Sequence, residues 1–235
     1  MRQLRLFLFA TALLVPSAAA QVPARPVSLD DAATATRAAF VEALTERYAE
    51  QDTSGVERVC RRAETPEEGL LCRYRLYPMT LDDAHLRDIP EPATGTARER
   101  ALLAALWAYR TAAAPAWRVP AYGIRSDRLL GEARDRDPAD PYVLLVEGQG
   151  LLYKPALFGG DPREALATFR RLRDGLAHEA ESAEANPTGV TLWEAEIWVW
   201  MALRQLAPAS ADRERSRLLA AAPPPLFRQF LVDPP

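Results

Sequence analysis

An all-α chain, an N-terminal helical cap followed by a right-handed array of helix pairs, is the fold this sequence predicts. Three observations carry that expectation. A side-chain oxygen followed three residues later by an acid recurs at Ser28/Asp31, Ser54/Glu57, Thr65/Glu68, Thr80/Asp83, Thr96/Glu99, Asp161/Glu164 and Thr191/Glu194. In that spacing the oxygen accepts from an early helical amide while the acid reaches back to the start of the helix. Each pair opens a segment whose apolar residues recur at helical period. No run of alternating apolar residues reads as a strand.

In chain order, Gln21 to Val27 is Pro-rich and reads as loosely packed. A long helix follows from Ser28 to about Glu50, with Ala39, Phe40, Ala43, Leu44 and Tyr48 on its apolar face. Shorter helices are predicted over Val56–Ala63 and Pro66–Tyr77. Cys60 and Cys72 flank the turn between them, so a disulfide there staples two antiparallel helices. A redox-active pair usually has a Cys-x-x-Cys spacing, which is absent. Ile89-Pro90-Glu91-Pro92 and Gly95 form a linker, which sets the cap at residues 21–95 and the array at 96–235. Within the array, helices are expected over Ala97–Ala113, Ser126–Arg136, Pro141–Tyr153, Pro162–Glu179, Thr191–Leu206 and Ala211–Ala221, with Pro115 and Pro120 breaking the chain after the first. Thr191–Leu206 is apolar nearly all round and therefore central. The tail, Leu226-Phe227 and Phe230-Leu231, is apolar enough to dock on the last pair.

Residues 1–20 read as an export signal: Arg2 and Arg5, an apolar run from Leu6 to Val15, then Ala18-Ala19-Ala20. That run is shorter than the roughly 20 residues needed to span a bilayer. No cysteine follows the cleavage site to take a lipid anchor. Cleavage leaves a soluble chain, periplasmic or secreted, and its departing arginines move the net charge from −3 to −5. An acidic chain with no basic cluster argues against nucleic acid and against stable association with anionic membranes.

The organising stretch is Asp137 to Leu172, a helix, a Gly-rich turn and a second well-marked helix start. Leu144, Gly148 and Leu151 lie along its first helix, and Ala165, Phe169 and Leu172 along its second. This pattern resembles tetratricopeptide repeats, helix pairs of about 34 residues that stack into a right-handed solenoid. In such packing Gly148 and Ala165 let the helices approach while Phe169 fills the space beside them. The resemblance extends over Ala97 to Pro223. It departs at Leu172, where a small residue is usual, and in the Lys154–Gly160 turn, which is about five residues longer than the family's. That enlarged turn is similar to one in the periplasmic helical-repeat components of TRAP (tripartite ATP-independent periplasmic) transporters. The similarity implies association with a substrate-binding protein and a pore for a small hydrophobic ligand.

Gly159-Gly160 before a helix start resembles a phosphate cradle only superficially, because Asp161 occupies the cap and no Gly-Lys-Ser/Thr follows. Lys154, the only lysine, reads as a solvated turn residue or an anion contact. The aromatics read mostly as core, with an exposed share available to a groove. Glu194 and Glu196 interrupt an apolar helix, and a buried Glu196 requires a partner such as an arginine. His85 and His178 lie far apart and no metal-ligand spacing or nucleophile elbow is present, so neither a metal nor a cofactor is expected. Were the chain an enzyme, Glu196 and Lys154 are its candidates. The function expected is instead a non-catalytic scaffold for an envelope protein or peptide. Its contact residues are Tyr109, Tyr142, Glu147 and Trp193, on the inner face formed by the first helices of the pairs, with Lys154 in the long turn. The alternative is a periplasmic binder of a small apolar or anionic ligand, associated with a transporter.

Overall fold

The computed structural model describes residues 29–181 and 188–234. The predicted export signal and Ser28 lie outside them. Among the described residues there are ten α-helices and no strand. These are α1 (Leu29–Ala49), α2 (Thr53–Cys60), α3 (Pro66–Thr80), α4 (Ala97–Ala112), α5 (Val119–Arg136), α6 (Pro141–Tyr153), α7 (Pro162–Glu181), α8 (Leu192–Leu206), α9 (Pro208–Ala220) and α10 (Pro225–Val232). Single 3-10 turns occur at Asp83–Leu86 and Ala156–Phe158.

Local chemistry sets most of the boundaries. Thr65 and Glu68 form a full capping box at α3, Thr65 Oγ1 accepting from the Glu68 amide at 3.2 Å and Glu68 accepting from the Thr65 amide at 3.0 Å. Thr96 caps α4 and Thr191 caps α8 through their hydroxyls, but Glu99 and Glu194 turn to other partners and do not complete the predicted box. Asp161 accepts from the amides of Arg163 and Glu164, so the residues after Gly159-Gly160 are a capped helix start and not a phosphate cradle. Gly160 is obligatory there, because a Cβ would lie 1.8 Å from the Lys154 carbonyl oxygen.

Two cap assignments and one break are corrected by their neighbours. Asp52 outcompetes Ser54, accepting from the Gly55 amide at 2.8 Å and starting α2 at Thr53. Thr80 is the last residue of α3 and donates back to the Leu76 carbonyl, while Asp82 caps the following 3-10 turn. Pro120 opens α5 rather than breaking it, since an amide is not needed in a first turn, and the helix begins at Val119. Ala39 is exposed; the buried stripe of α1 is Phe40, Val41 and Leu44.

Consecutive helices pack as hairpins, α4 on α5, α6 on α7 and α8 on α9, with α4 beside α6 and α7 against α8. This sequence of pairs is consistent with a repeat array. At its centre, an added Cβ on Gly148 would lie 2.4 Å from the Phe169 ring, so the glycine is what lets α6 and α7 approach. The Cys60–Cys72 disulfide joins the end of α2 to α3. Of the N-terminal helices, α3 packs on α4, and α1 packs against both α3 and α10. One apolar core runs from Phe40 to Leu231 through all of them.

Candidate functional site

The most elaborate polar assembly sits where the N-terminal helices meet the array, and it begins with Arg75. This residue stands in α3 between Leu70-Leu71 and Leu76 and is 1% exposed. A buried guanidinium must find acceptors for its donors. Its Nη1 lies 2.6 Å from Glu194 Oε1 and its Nη2 2.9 Å from Oε2, a two-point pairing across α3 and α8. Nη2 also donates to the Gly189 carbonyl at 2.8 Å and to the Tyr142 hydroxyl at 3.2 Å. Burial opposes the guanidinium's charge, but Glu194, Tyr142 and Tyr48 together outweigh it and raise the Arg75 pKa well above its usual value.

Tyrosines enclose the pair. The Arg75 guanidinium carbon lies 4.3 Å from the Tyr48 ring centroid and 5.2 Å from that of Tyr74. Tyr74 stacks on Tyr109, with centroids 5.8 Å apart, and meets Tyr142 edge-on. Burial raises the phenol pKa values of Tyr48, Tyr74 and Tyr109, and raises that of Tyr142 to about 12 against the opposing pull of Arg75. All four therefore stay neutral at ordinary pH.

A second polar chain runs alongside. Glu67 of α3 accepts from Arg37 of α1 and from the Thr96 hydroxyl at 3.2 Å. Arg98 of α4 lies 3.8 Å from Glu67 and 3.2 Å from Asp140. Asp140 in turn caps α6 through the Tyr142 and Val143 amides. Charge thus alternates from α1 through α3 and α4 to α6. Both assemblies hold their charges against one another, so what they accomplish is orientation: they fix where α1 and α3 sit on the array.

The residues singled out from the sequence fall in different places. Tyr142 has no exposed surface and belongs to the buried cage, which corrects its assignment to an open face. Tyr109 is half-buried between Tyr74 and Tyr77. Glu147 is half-buried and held by Arg134 at 3.0 Å, with Arg171 at 3.9 Å. Trp193 packs half-buried against the core. Lys154 pairs with Asp127 of α5. Glu196 has the arginine its position demanded, Arg217, which also holds Glu214 at 2.7 Å. Burial raises the Glu196 pKa against the opposing charge of Arg217.

Sequence reasoning missed Arg75, Tyr74 and Gly189. Two arginines, Arg73 and Arg75, amid the apolar residues of Leu-Leu-Cys-Arg-Tyr-Arg-Leu-Tyr were a legible signal that one of them is buried. Gly189 has φ +78°, and a Cβ there would press within 2.7 Å of Val41, so its carbonyl is held at the pair by a conformation other residues resist.

Fold and site together define an all-α protein of consecutive helix pairs, closed by N-terminal helices through a buried ion pair. Comparison with family models, curated proteins and solved structures finds no match. Among the described residues no group of three or more His, Cys, Asp or Glu is placed to hold a metal ion, and no helix is long and apolar enough to cross a membrane.

Proposed function

We propose that this protein is an exported, non-catalytic scaffold of tetratricopeptide-like helix pairs that binds an envelope protein or peptide. The carrying observation is where large apolar side chains meet solvent. Trp117 and Ile124, at the α4–α5 turn and the start of α5, are 73% and 71% exposed. Leu157 and Phe158, in the enlarged α6–α7 turn, are 87% and 69% exposed. The Lys154–Asp127 ion pair ties these two regions together along one edge of the array. Exposed apolar residues gathered on one edge are a sign of an interaction surface. Because α3 side chains meet Tyr109 of α4, Tyr142 of α6 and Glu194 of α8, burying Tyr142, the partner surface is assigned to this turn edge. The occupant is an apolar segment of another protein. The disulfide agrees with an oxidising compartment.

The test is cross-linked affinity recovery of the tagged mature protein from its own envelope, beside Leu157→Asp and Phe158→Asp variants. The reading requires a stoichiometric protein that both variants lose while their melting temperatures stay within about 2 °C, as exposed sites allow. Recovery of that protein unchanged by both substitutions defeats the turn-edge assignment, and recovery of no protein defeats the scaffold.

A further inference from the structure

A hollow of about 210 Å³ lies between the 3-10 turn Asp83–Leu86, the end of α4 and the start of α5. Its walls carry three arginines, Arg87, Arg110 and Arg118, against one carboxylate, Asp83. Among the described residues none of the three forms an ion pair with an acid, although Arg75, Arg98, Arg100 and Arg217 all do. The arginines are also brought together. Arg110 lies over the Tyr122 ring, 5.1 Å from its centroid, and Arg118 donates to the hydroxyl of the same tyrosine at 3.3 Å. Arg118 rests on Trp117 at 4.4 Å, and Arg110 also faces Trp107 at 5.2 Å. Flat aromatic supports restrict both guanidiniums before any ligand arrives. Three cations against one carboxylate leave the hollow net positive, and an anion between the arginines lowers the repulsion among them. The positive end of α5 opens on the same side, and no side chain caps it.

We infer that this hollow is a binding site for a compact oxyanion with more than one negative charge, of the phosphate or phosphate-monoester class. Arg110 and Arg118 make the principal contacts, Arg87 closes the side nearest Leu86, and Asp83 selects against ligands too large to avoid it. Planar forks of N–H donors suit such an anion, whose several oxygens accept from more than one guanidinium. At a share of about 30 Å³ per water molecule, the hollow is roomy enough for a tetrahedral anion with part of its hydration. The inference is independent of the turn-edge scaffold: either stands without the other.

The experiment uses the mature chain at low ionic strength, titrated calorimetrically with inorganic phosphate and with phenyl phosphate. The site requires saturable binding of one anion per chain and a rise in melting temperature with phosphate. Arg110→Gln and Arg118→Gln should each weaken binding about tenfold or more, the scale of one lost charge-assisted bond. Arg213→Gln, an exposed arginine of α9 away from the hollow, should leave it unchanged. Without phosphate the two hollow variants should keep the unmodified chain's far-ultraviolet circular dichroism, so that lost binding is not lost folding. A second arm compares sedimentation with phosphatidylglycerol and phosphatidylcholine vesicles. Capture by the former alone, lost in Arg110→Gln, assigns the hollow to a lipid phosphate; calorimetric binding with no vesicle capture assigns it to a free anion. No saturable heat with either phosphate and no vesicle capture overturns the site, as does equal loss in Arg213→Gln.

Discussion

Arg75 and Glu194 are decisive because each makes the other tolerable. A buried pair of this kind contributes little over well-packed apolar residues, yet removing one member strands the other in a medium that cannot solvate it. Glu194→Leu should therefore destabilise the protein by about 3–5 kcal/mol. The double variant Arg75→Met/Glu194→Leu should recover much of that loss, and urea unfolding of all three chains measures both. Equal and additive losses would mean that the two side chains do not sense each other. Gly148 poses the converse problem, too little space instead of too much charge. Gly148→Ala drives a methyl into the Phe169 ring and should cost about 1–3 kcal/mol, the usual range for overpacking. Adding Phe169→Leu should return part of it. Gly148 and Phe169 were legible as a packed pair because a missing side chain beside an aromatic, at repeat spacing, marks where two helices come close. The Arg75–Glu194 contact was not, since it joins residues 119 apart in sequence. The spacing of Thr191 and Glu194 pointed to a capping box, yet only the threonine caps; the carboxylate turns to α3, where desolvated charge makes the stronger demand.

Among the elements, the linker before α4 is ordered by a single buried carboxylate. Glu99 accepts from the amides of Ala93, Thr94 and Gly95 at 2.6, 3.0 and 2.6 Å. Burial alone would raise its pKa, but these amides together outweigh burial and hold it below the ordinary value. A depressed folded-state pKa stabilises above the unfolded value, about 4.3, and that contribution fades as pH falls through the folded pKa. Replacing the charge should thus matter most near neutrality. The stability gap between the native chain and Glu99→Gln should be largest above about pH 5 and should shrink toward pH 3. A gap constant across that range would remove the carboxylate's charge from the account. Caps such as Thr65 and Thr96 were readable because they act within four residues of chain. Pro120 and Thr80 were misjudged because the same residue types open, close or continue a helix depending on the residues next to them. The disulfide between α2 and α3 acts at this scale too. Cys60→Ser/Cys72→Ser should cost about 3 kcal/mol through the short loop it closes.

For the whole molecule, the question is whether the N-terminal helices form a unit of their own. The Pro-rich stretch before Thr96 reads as a boundary, and by sequence alone nothing opposes that. Spatially, α3 places Arg75 and Glu67 inside the array, α1 meets α10, and the apolar core passes between the two parts without interruption. A division there would expose Tyr142, Glu194 and the inner faces of α4 and α6 together. Unfolding should accordingly be one cooperative transition. The sequence offers a direct way to see it, because all five tryptophans, from Trp107 to Trp200, lie in the array and none in residues 21–95. Tryptophan fluorescence reports the array, whereas far-ultraviolet circular dichroism reports both parts. In urea the two signals should trace one curve, and Glu194→Leu should shift both by the same amount. A dichroism change that precedes the fluorescence change would show the N-terminal helices leaving first. The face around Tyr109, Tyr142 and Glu194 would then be available to a partner, and the interaction surface would move there from the turn edge.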